Sequence, residues 1–273
     1  QNKLDYAQGG KMKDSDFTLA WSFKNRKDVL FRSIETADRT CPKSIDFCLV
    51  DAASTDDTIK SLRDFCNKIE NRTIRICEST YRSSLTEAWN LCMMLTNRRY
   101  VIYASSDVYF QMSGWIEAIR AGLSKSPYVL LNNHAVFCVD KAIVPKIGWW
   151  DESYKAGPHF DPDYMIRASE AGINYINVGN PGFYIHGDEG DKKVDKVRAQ
   201  QEVADRLPMH EFHNEKYFKS KWESSWVGWK EAIAKGSTHK PHPPVHISQV
   251  TRKKPEIDPH PIYTNKYKEM YIK

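Results

Sequence analysis

The chain has 273 residues, of which 41% are hydrophobic and 12% aromatic, a composition typical of a globular protein that can bury a substantial core. No stretch approaches the ~18 consecutive apolar residues of a membrane-spanning helix, and the polar start of the chain lacks the apolar centre of a signal peptide. Six cysteines without a CxxC pair predict reduced, mostly buried thiols, and we therefore expect a cytoplasmic protein.

Strand and helix patterns alternate along the first half of the chain. They predict strands over residues 17–23, 45–50, 73–77, 100–104 and 128–131, and helices over 28–37, 58–68, 84–95 and 114–123. Further along, we predict helices at 163–171 and 191–206 and a strand at 173–178. This alternation is typical of an α/β fold with a mixed, mostly parallel sheet flanked by helices.

Charge and composition divide the chain into three parts. Residues 1–16 are polar and predicted to be flexible, 17–205 carry the alternating pattern, and 206–273 are basic, aromatic and rich in proline. Residues 205–273, a segment that starts one residue earlier, hold 13 Lys and Arg against 8 Asp and Glu and so account for the whole net charge of +5. We expect residues 206–273 to be a helical and extended C-terminal appendage.

Two of the predicted strands end at acidic residues. Asp51 ends the second strand, and Ser54 and Asp56 follow it at the start of a helix. Asp107 comes after the fourth strand, behind two serines, Ser105 and Ser106. Ligands of open α/β sheets bind at the carboxyl ends of the strands, so both segments are candidate binding residues. The alternative interpretation is a helix cap for the first segment and a simple turn for the second.

Two later segments also carry candidate chemistry. Asp161 and Asp163 precede a helix that contains Arg167, and His186 ends an apolar run. Carboxylates at a helix start can simply cap the helix, and a lone histidine in such a position is more often a core or turn residue than a ligand.

Taken in chain order, these segments resemble the family 2 glycosyltransferases, which are nucleotide-sugar-dependent enzymes of the GT-A fold. The resemblance covers about residues 17–190. Its motifs are a first-strand element at Ser22 and Asn25, a D-x-x-S-x-D-x-T signature at Asp51, Ser54, Asp56 and Thr58, a D-x-D segment at 105–107, an E-D-x-D-like segment at Asp161 and Asp163 with Arg167, and a late histidine at His186.

Two positions depart from the family pattern. Ser105 stands where the first acid of D-x-D is expected, and Phe160 stands where the glutamate before Asp161 is expected. The family's usual metal contact and its usual base survive as Asp107 and Asp161. The resemblance therefore implies an active enzyme with a GT-A-like catalytic domain at 17–205.

The predicted site follows from this resemblance and from the chemistry of a sugar diphosphate. Asp161 would act as the catalytic base, with Asp163 and Arg167 as possible support, and a single displacement would invert the anomeric centre. Asp107 and His186 would hold Mn²⁺ or Mg²⁺, which neutralises the charge that develops on the β-phosphate. The predicted nucleotide-binding residues are Ser22, Asn25, Asp51, Ser54, Asp56 and Ser106.

The resemblance implies a UDP-sugar donor and leaves the acceptor open among a glycan, a lipid-linked sugar, a protein and a modified base of DNA. Two other classes compete. A non-catalytic nucleotide-sugar-binding protein would explain the degenerate D-x-D segment. A nucleotidyltransferase would also use acidic metal ligands, but the chain has no Gly-rich phosphate loop near its first strand.

The basic tail supports two interpretations. Residues 212–229 interleave aromatic residues with lysines, and 251–254 add a basic cluster. In the first interpretation the tail packs on the body or on a second copy in a homo-oligomer, with its aromatics buried and its lysines solvated. In the second, it binds a polyanionic acceptor, nucleic acid included, through lysine–phosphate contacts and aromatic stacking.

Overall fold

The structure, a computed structural model, describes residues 12–79, 84–131, 133–154, 160–179, 184–186, 208–222 and 267–272. Its centre is an eight-stranded sheet with the strand order β10-β3-β2-β1-β4-β7-β6-β8. The strands of this sheet are β1 Phe17–Phe23, β2 Asp46–Asp51, β3 Ile74–Ser79, β4 Tyr100–Ala104, β6 Tyr128–Leu131, β7 Val136–Asp140, β8 Ile176–Asn177 and β10 Tyr267–Ile272. Two further strands, β5 Val108–Phe110 and β9 Tyr184–His186, form a separate antiparallel pair.

The sheet is mixed, as the sequence predicts. Strand β1 pairs in parallel with β2 and β4, and β2 pairs in parallel with β3. Strand β7 runs antiparallel to both β4 and β6, while β8 is parallel to β6. The carboxyl ends of strands β1, β2, β3 and β4 therefore lie along one rim of the sheet, called the sheet edge below. Strand β7 starts at the same rim.

Helices cover both faces of the sheet. Their bounds are α1 Lys27–Thr40, α2 Thr58–Cys66, α3 Leu85–Leu95, α4 Trp115–Leu123, α5 Val144–Ile147, α6 Phe160–Glu170 and α7 Pro208–Trp222. Helix α3 begins with a capping box, in which the Ser84 hydroxyl accepts from the Glu87 backbone N–H and the Glu87 carboxylate accepts from the Ser84 N–H.

The alternation of side chains along the strands produces two apolar layers. Leu19 and Trp21 of β1 face the layer under α1, α2 and α4, whereas Ala20 faces the opposite layer under α3, α5 and α6. Strand β4 divides in the same way, with Ile102 on one side and Tyr103 on the other. Burial on both faces explains why these strands are apolar throughout.

The structure confirms most predicted elements and corrects three of them. Strand β6 has the predicted bounds, but the helix expected at 163–171 begins three residues earlier, at Phe160, so that it includes both acids. The strand expected at 173–178 is only two residues long. The tail, predicted to be a helical and extended appendage, also adds β10 to the sheet as an outer strand antiparallel to β3. The helix predicted at 191–206 lies outside the described residues.

Two general expectations can also be compared with the structure. All six cysteines are buried, as predicted. Among the described residues, no helix combines the length and the apolar character needed to cross a bilayer.

Candidate functional site

The loops after β1 and β2 are joined by hydrogen bonds around Asp51. Both carboxylate oxygens of Asp51 accept from the Ser54 N–H, at 3.1 and 3.0 Å, and the Ser54 hydroxyl also donates to this carboxylate. The Ser54 oxygen accepts from the Asn25 N–H at 2.7 Å, and the Asn25 side-chain oxygen accepts from the Thr55 N–H at 2.8 Å. These bonds fix the carboxyl ends of β1 and β2 relative to each other.

Three residues of these loops adopt left-handed backbone conformations. Asn25, Arg26 and Ala53 have φ of 57, 64 and 63°. Asparagine tolerates this region well, but arginine and alanine rarely adopt it, and such strain clusters at ligand-binding sites. The loops are therefore held in a specific shape at the sheet edge where ligands of α/β proteins bind.

Ser22 and Asp56, which are also predicted to bind nucleotide, lie next to these loops. Ser22 lies on β1 opposite Val50 and is partly exposed. Asp56 is exposed, and its carboxylate accepts at 3.0 Å from the N–H of Thr58, the first residue of α2. Burial raises the pKa of Asp51, and the hydrogen bonds from Ser54 oppose that rise by stabilising the carboxylate.

The degenerate D-x-D segment forms a tight turn between β4 and β5. The Val108 N–H donates to the Ser105 carbonyl at 3.1 Å, so Ser106 and Asp107 occupy the corner of the turn. Strand β5 then pairs with β9, with Val108 directly opposite His186. The backbone thus places the two predicted metal ligands next to each other, although 79 positions separate them in the sequence.

The chemistry of these two residues fits a divalent cation. A carboxylate and an imidazole are suitable ligands for Mn²⁺, and Mg²⁺ also accepts a site with few protein ligands because it keeps several waters and binds phosphate oxygens. Among the described residues, no group of three or more His, Cys, Asp or Glu side chains is close enough to hold a metal by itself.

Asp161 lies in the first turn of α6 beside a histidine. The Asp161 Oδ2 atom is 3.5 Å from the Nδ1 atom of His134, and 36% of the Asp161 side chain is exposed. Burial raises the pKa of Asp161 to about 6. The carboxylate is still ionised at neutral pH, and it is a stronger base than an ordinary aspartate.

Sequence reasoning missed His134. It lies in the turn between β6 and β7, where the Ser105 N–H donates to the Ala135 carbonyl at 2.9 Å. This bond and the contact with Asp161 connect the D-x-D turn to the start of α6. The available signal was a single histidine between two apolar runs, LL-NNHA-VFCV, which does not reveal its partners.

Phe160, which replaces the expected glutamate, packs on an aromatic cluster. Its ring meets Trp89 edge-on with 5.1 Å between ring centroids, and Trp89 in turn contacts Trp150 at 4.8 Å. The departure from the family pattern therefore adds an apolar side chain to this aromatic cluster at the start of α6.

Asp163 and Arg167 form part of a buried network instead of facing the sheet edge. The Arg167 Nε atom donates to Asp163 at 2.8 Å, and the guanidinium also donates to the Trp149 carbonyl at 2.9 Å. The other Asp163 oxygen accepts from the Trp222 indole at 2.9 Å and contacts the Lys221 ammonium at 2.5 Å. Asp163 and Arg167 are fully buried, so the structure places them apart from Asp161, which is partly exposed.

Helix α7 shows which interpretation of the tail holds for residues 213–222. Phe218 and Trp222 are fully buried against Tyr154 and Ile166, so they cannot stack on bases or sugars. Lys219 is exposed, as the packing interpretation predicts. The expectation that the lysines are solvated is wrong for Lys221, since it lies buried between Asp151 and Asp163. The basic cluster at 251–254 lies outside the described residues.

Comparisons with known proteins agree with this geometry. Residues 20–171, more than half of the chain, match the family described as Glycosyl transferase family 2. A curated Escherichia coli protein, the UDP-Glc:alpha-D-GlcNAc-diphosphoundecaprenol beta-1,3-glucosyltransferase WfaP, is 30% identical over 86 residues. That alignment spans 32% of this chain and 33% of the relative.

Solved structures share the fold at low sequence identity. The mannosyltransferase PcManGT from Pyrobaculum calidifontis, in complex with GDP-Man and Mn²⁺, aligns with a TM-score of 0.56 and 12% identity over 87% of this chain and 72% of that one. S. aureus TarS 1–349 in complex with UDP-GlcNAc gives a TM-score of 0.51 and 12% identity over 77% and 74%. GalNAc-T7 with UDP, GalNAc and Mn²⁺ gives 0.54 and 10% over 81% and 58%.

The family match, which covers more than half of the chain, therefore favours glycosyl transfer over nucleotidyl transfer. The chain belongs to glycosyltransferase family 2 and has the GT-A fold.

Proposed function

We propose that the protein is an inverting, metal-dependent glycosyltransferase that moves a sugar from a UDP-sugar to an acceptor hydroxyl, with Asp161 as its base. The environment of Asp161 carries this proposal. Its carboxylate is partly exposed and has a raised pKa, whereas its neighbour Asp163 is fully buried among cationic and hydrogen-bonding partners. A base must reach the acceptor, and of the two carboxylates Asp161 has the accessible position.

The reaction would be a single displacement. The acceptor O–H gives its proton to Asp161 as the acceptor oxygen bonds to the anomeric carbon. The bond from that carbon to the diphosphate oxygen breaks, and its electron pair stays on the β-phosphate. Attack from the face opposite the leaving group inverts the anomeric centre. Retention would need a second nucleophile, which this scheme does not use.

The donor would lie across the carboxyl ends of β2, β1 and β4. Asp51 and the joined loops around Ser54 and Asn25 would bind the nucleoside, together with Ser22 and Asp56, and Ser106 would contact the diphosphate. Asp107 and His186 would hold the divalent cation, which would neutralise negative charge on the β-phosphate as the bond breaks. The order of strands in the sheet supports this arrangement, because β1 lies between β2 and β4.

The choice of UDP is supported by relatives, not by geometry. The name of the curated E. coli relative gives UDP-glucose as the donor, and the TarS structure contains UDP-GlcNAc. The PcManGT structure contains GDP-Man, so the fold itself accepts both nucleotides. A screen must therefore include UDP- and GDP-sugars.

Thermal unfolding with a panel of UDP- and GDP-sugars, with and without Mn²⁺, tests the proposal. A donor at 100 times its Kd stabilises the folded state by about 2.7 kcal/mol, which is a clear rise in Tm. We expect a UDP-sugar to give the largest rise, and only with Mn²⁺. Asp107→Ala should abolish this rise without lowering the Tm of the free protein.

The matched control is Asp64→Ala, which removes an exposed carboxylate from α2, away from the site. This variant should respond to donor and Mn²⁺ as the wild type does. An unchanged response of Asp107→Ala would contradict the metal assignment. A larger rise with GDP-sugars would contradict the choice of donor and leave the glycosyltransferase assignment intact.

A further inference from the structure

Three polar side chains, one of which is the proposed base, contact one another in series. The Tyr128 hydroxyl is hydrogen-bonded to the Nε2 atom of His134, and the Nδ1 atom of the same ring is 3.5 Å from Asp161 Oδ2. The three residues come from β6, from the β6–β7 turn and from α6. Tyr128 has no role in the site described so far, and His134 has been described only as a link between the D-x-D turn and α6.

The His134 ring is fixed from several directions. Its ring centroid is 5.0 Å from that of Phe137 and 6.4 Å from that of Trp150, both at steep angles. The backbone of the same turn is tied to the end of β4 by the bond from Ser105 to Ala135. The imidazole is therefore a rigid support and cannot swing away freely.

The charge state of the His134 ring determines how many of its two nitrogens carry hydrogen. Burial lowers the pKa of His134 to about 3, so the ring is neutral at working pH and has one N–H. A carboxylate can only accept hydrogen bonds, so a favourable contact with Asp161 requires the hydrogen on Nδ1. Nε2 then accepts from the Tyr128 hydroxyl, and this bond fixes the tautomer.

We propose, given the role of Asp161 as base, that His134 is a positioning residue that holds Asp161 Oδ2 through its Nδ1–H and thereby leaves Oδ1 for the acceptor hydroxyl. Tyr128 acts one step further back by holding the ring in this tautomer. The distance of 3.5 Å is at the limit of a hydrogen bond, and such catalytic contacts are often long without substrate and shorten in the complex.

The pKa of Asp161 gives a readout that a purely structural role would not change. Removal of an N–H that favours the carboxylate should raise this pKa further. Among the described residues, the other titratable groups near the pair are Tyr128 from β6, Tyr164 from α6 and Tyr175, which packs on Tyr128. Burial raises the pKa of all three phenols, so they stay neutral across the range tested. Arg167, which also interacts with Tyr128, keeps its charge throughout.

The experiment compares His134→Asn with His134→Leu. The asparagine amide can place an N–H near the position of Nδ1, whereas leucine fills similar space without a donor. The pKa of Asp161 is followed through the ¹³C shift of its Cγ, which is assigned by its absence in Asp161→Asn. We expect a value near 6 in the wild type, a similar value in His134→Asn, and a value higher by about 1 in His134→Leu.

A kinetic arm uses UDP-glucose with Mn²⁺ as the probe and follows the release of UDP. His134→Leu should lower kcat by up to about 10²-fold, with KM for UDP-glucose unchanged, and His134→Asn should recover most of the loss. The titration needs no donor, so it decides the proposal whichever nucleotide sugar the enzyme uses.

The outcomes separate this proposal from the proposed function. Equal pKa values of Asp161 in His134→Asn and His134→Leu would overturn the positioning role, even if Asp161→Asn is inactive. Full activity of Asp161→Asn would overturn the base assignment, whatever the pKa values are. A fall in Tm of His134→Leu with an unchanged pKa of Asp161 would show a structural role only, and that result also counts against the proposal.

Discussion

Asp161 and Asp163 lie in the same turn of α6 and have opposite environments. Residues two apart in a helix point to nearly opposite sides, so one carboxylate can face the sheet edge while the other faces the core. Asp161 is partly exposed beside His134, and Asp163 is fully buried with Arg167, Lys221 and Trp222. The comparison indicates that the acidic motif combines an accessible carboxylate, the proposed base, with a buried carboxylate that anchors the helix.

The largest expected effect is a loss of stability when Asp163, the buried carboxylate that anchors α6, is replaced. Asp163→Asn removes the charge that balances Arg167 and Lys221, both of which are buried, and an unbalanced buried charge costs about 3–5 kcal/mol. The free energy of unfolding, measured by denaturant titration, should fall by about that amount. The same substitution at Asp161 should not lower it, and equal losses at the two positions would remove the distinction between them.

A smaller loss of stability should follow when Lys221, which pairs with Asp163, is replaced. Lys221→Met leaves Asp151 and Asp163 without this cation, and unsatisfied buried groups cost about 1–3 kcal/mol each. Lys219→Met is the matched control, because Lys219 is exposed in the same helix and pairs with Glu215 at the surface. Its loss should cost about 0.5 kcal/mol or less. Similar losses for both variants would mean that α7 does not stabilise α6 through Lys221.

The smallest expected effect is a gain in stability, and it comes from Asp161→Asn. The raised pKa of Asp161 means that the folded state binds more protons than the unfolded state between the ordinary pKa of 3.8 and about 6. Stability therefore falls with rising pH through this window, and Asp161→Asn is free of that penalty. Its Tm relative to the wild type should rise from pH 4 to pH 7 and then stay constant. A difference in Tm that does not depend on pH would show that the environment of Asp161 does not disfavour its charge.

Local sequence patterns predicted much of the fold. The apolar strands and amphipathic helices up to Leu131 are specified by residues near one another, and the chain order of acidic motifs identified the family. Strand β7 was missed because VFCVD is a short apolar run that follows a turn closely. Strand β10 was missed because its partner β3 lies about 190 positions earlier, and no local signal records such a pairing.

The candidate site was predictable where a motif existed and not where only packing creates it. Asp51, Asp107 and Asp161 were nominated from their positions at strand and helix ends. His134 was not, because its partners Tyr128 and Asp161 meet it only after β6, β7 and α6 have packed. The buried partners of Asp163 were likewise not predictable, because Lys221 and Trp222 lie on α7, which is more than 40 residues further along the chain.

Turnover by Asp161→Asn and Asp163→Asn is the most direct test of the proposal that Asp161, and not Asp163, is the base. Both variants would be assayed for release of nucleoside diphosphate from the sugar nucleotide that stabilises the wild type most, at a temperature where each is folded. The account predicts that Asp161→Asn binds donor with the wild-type Kd but turns it over about 10²–10⁴-fold more slowly, while folded Asp163→Asn stays within about tenfold of the wild type. Wild-type turnover by Asp161→Asn, with turnover lost in folded Asp163→Asn, would contradict it.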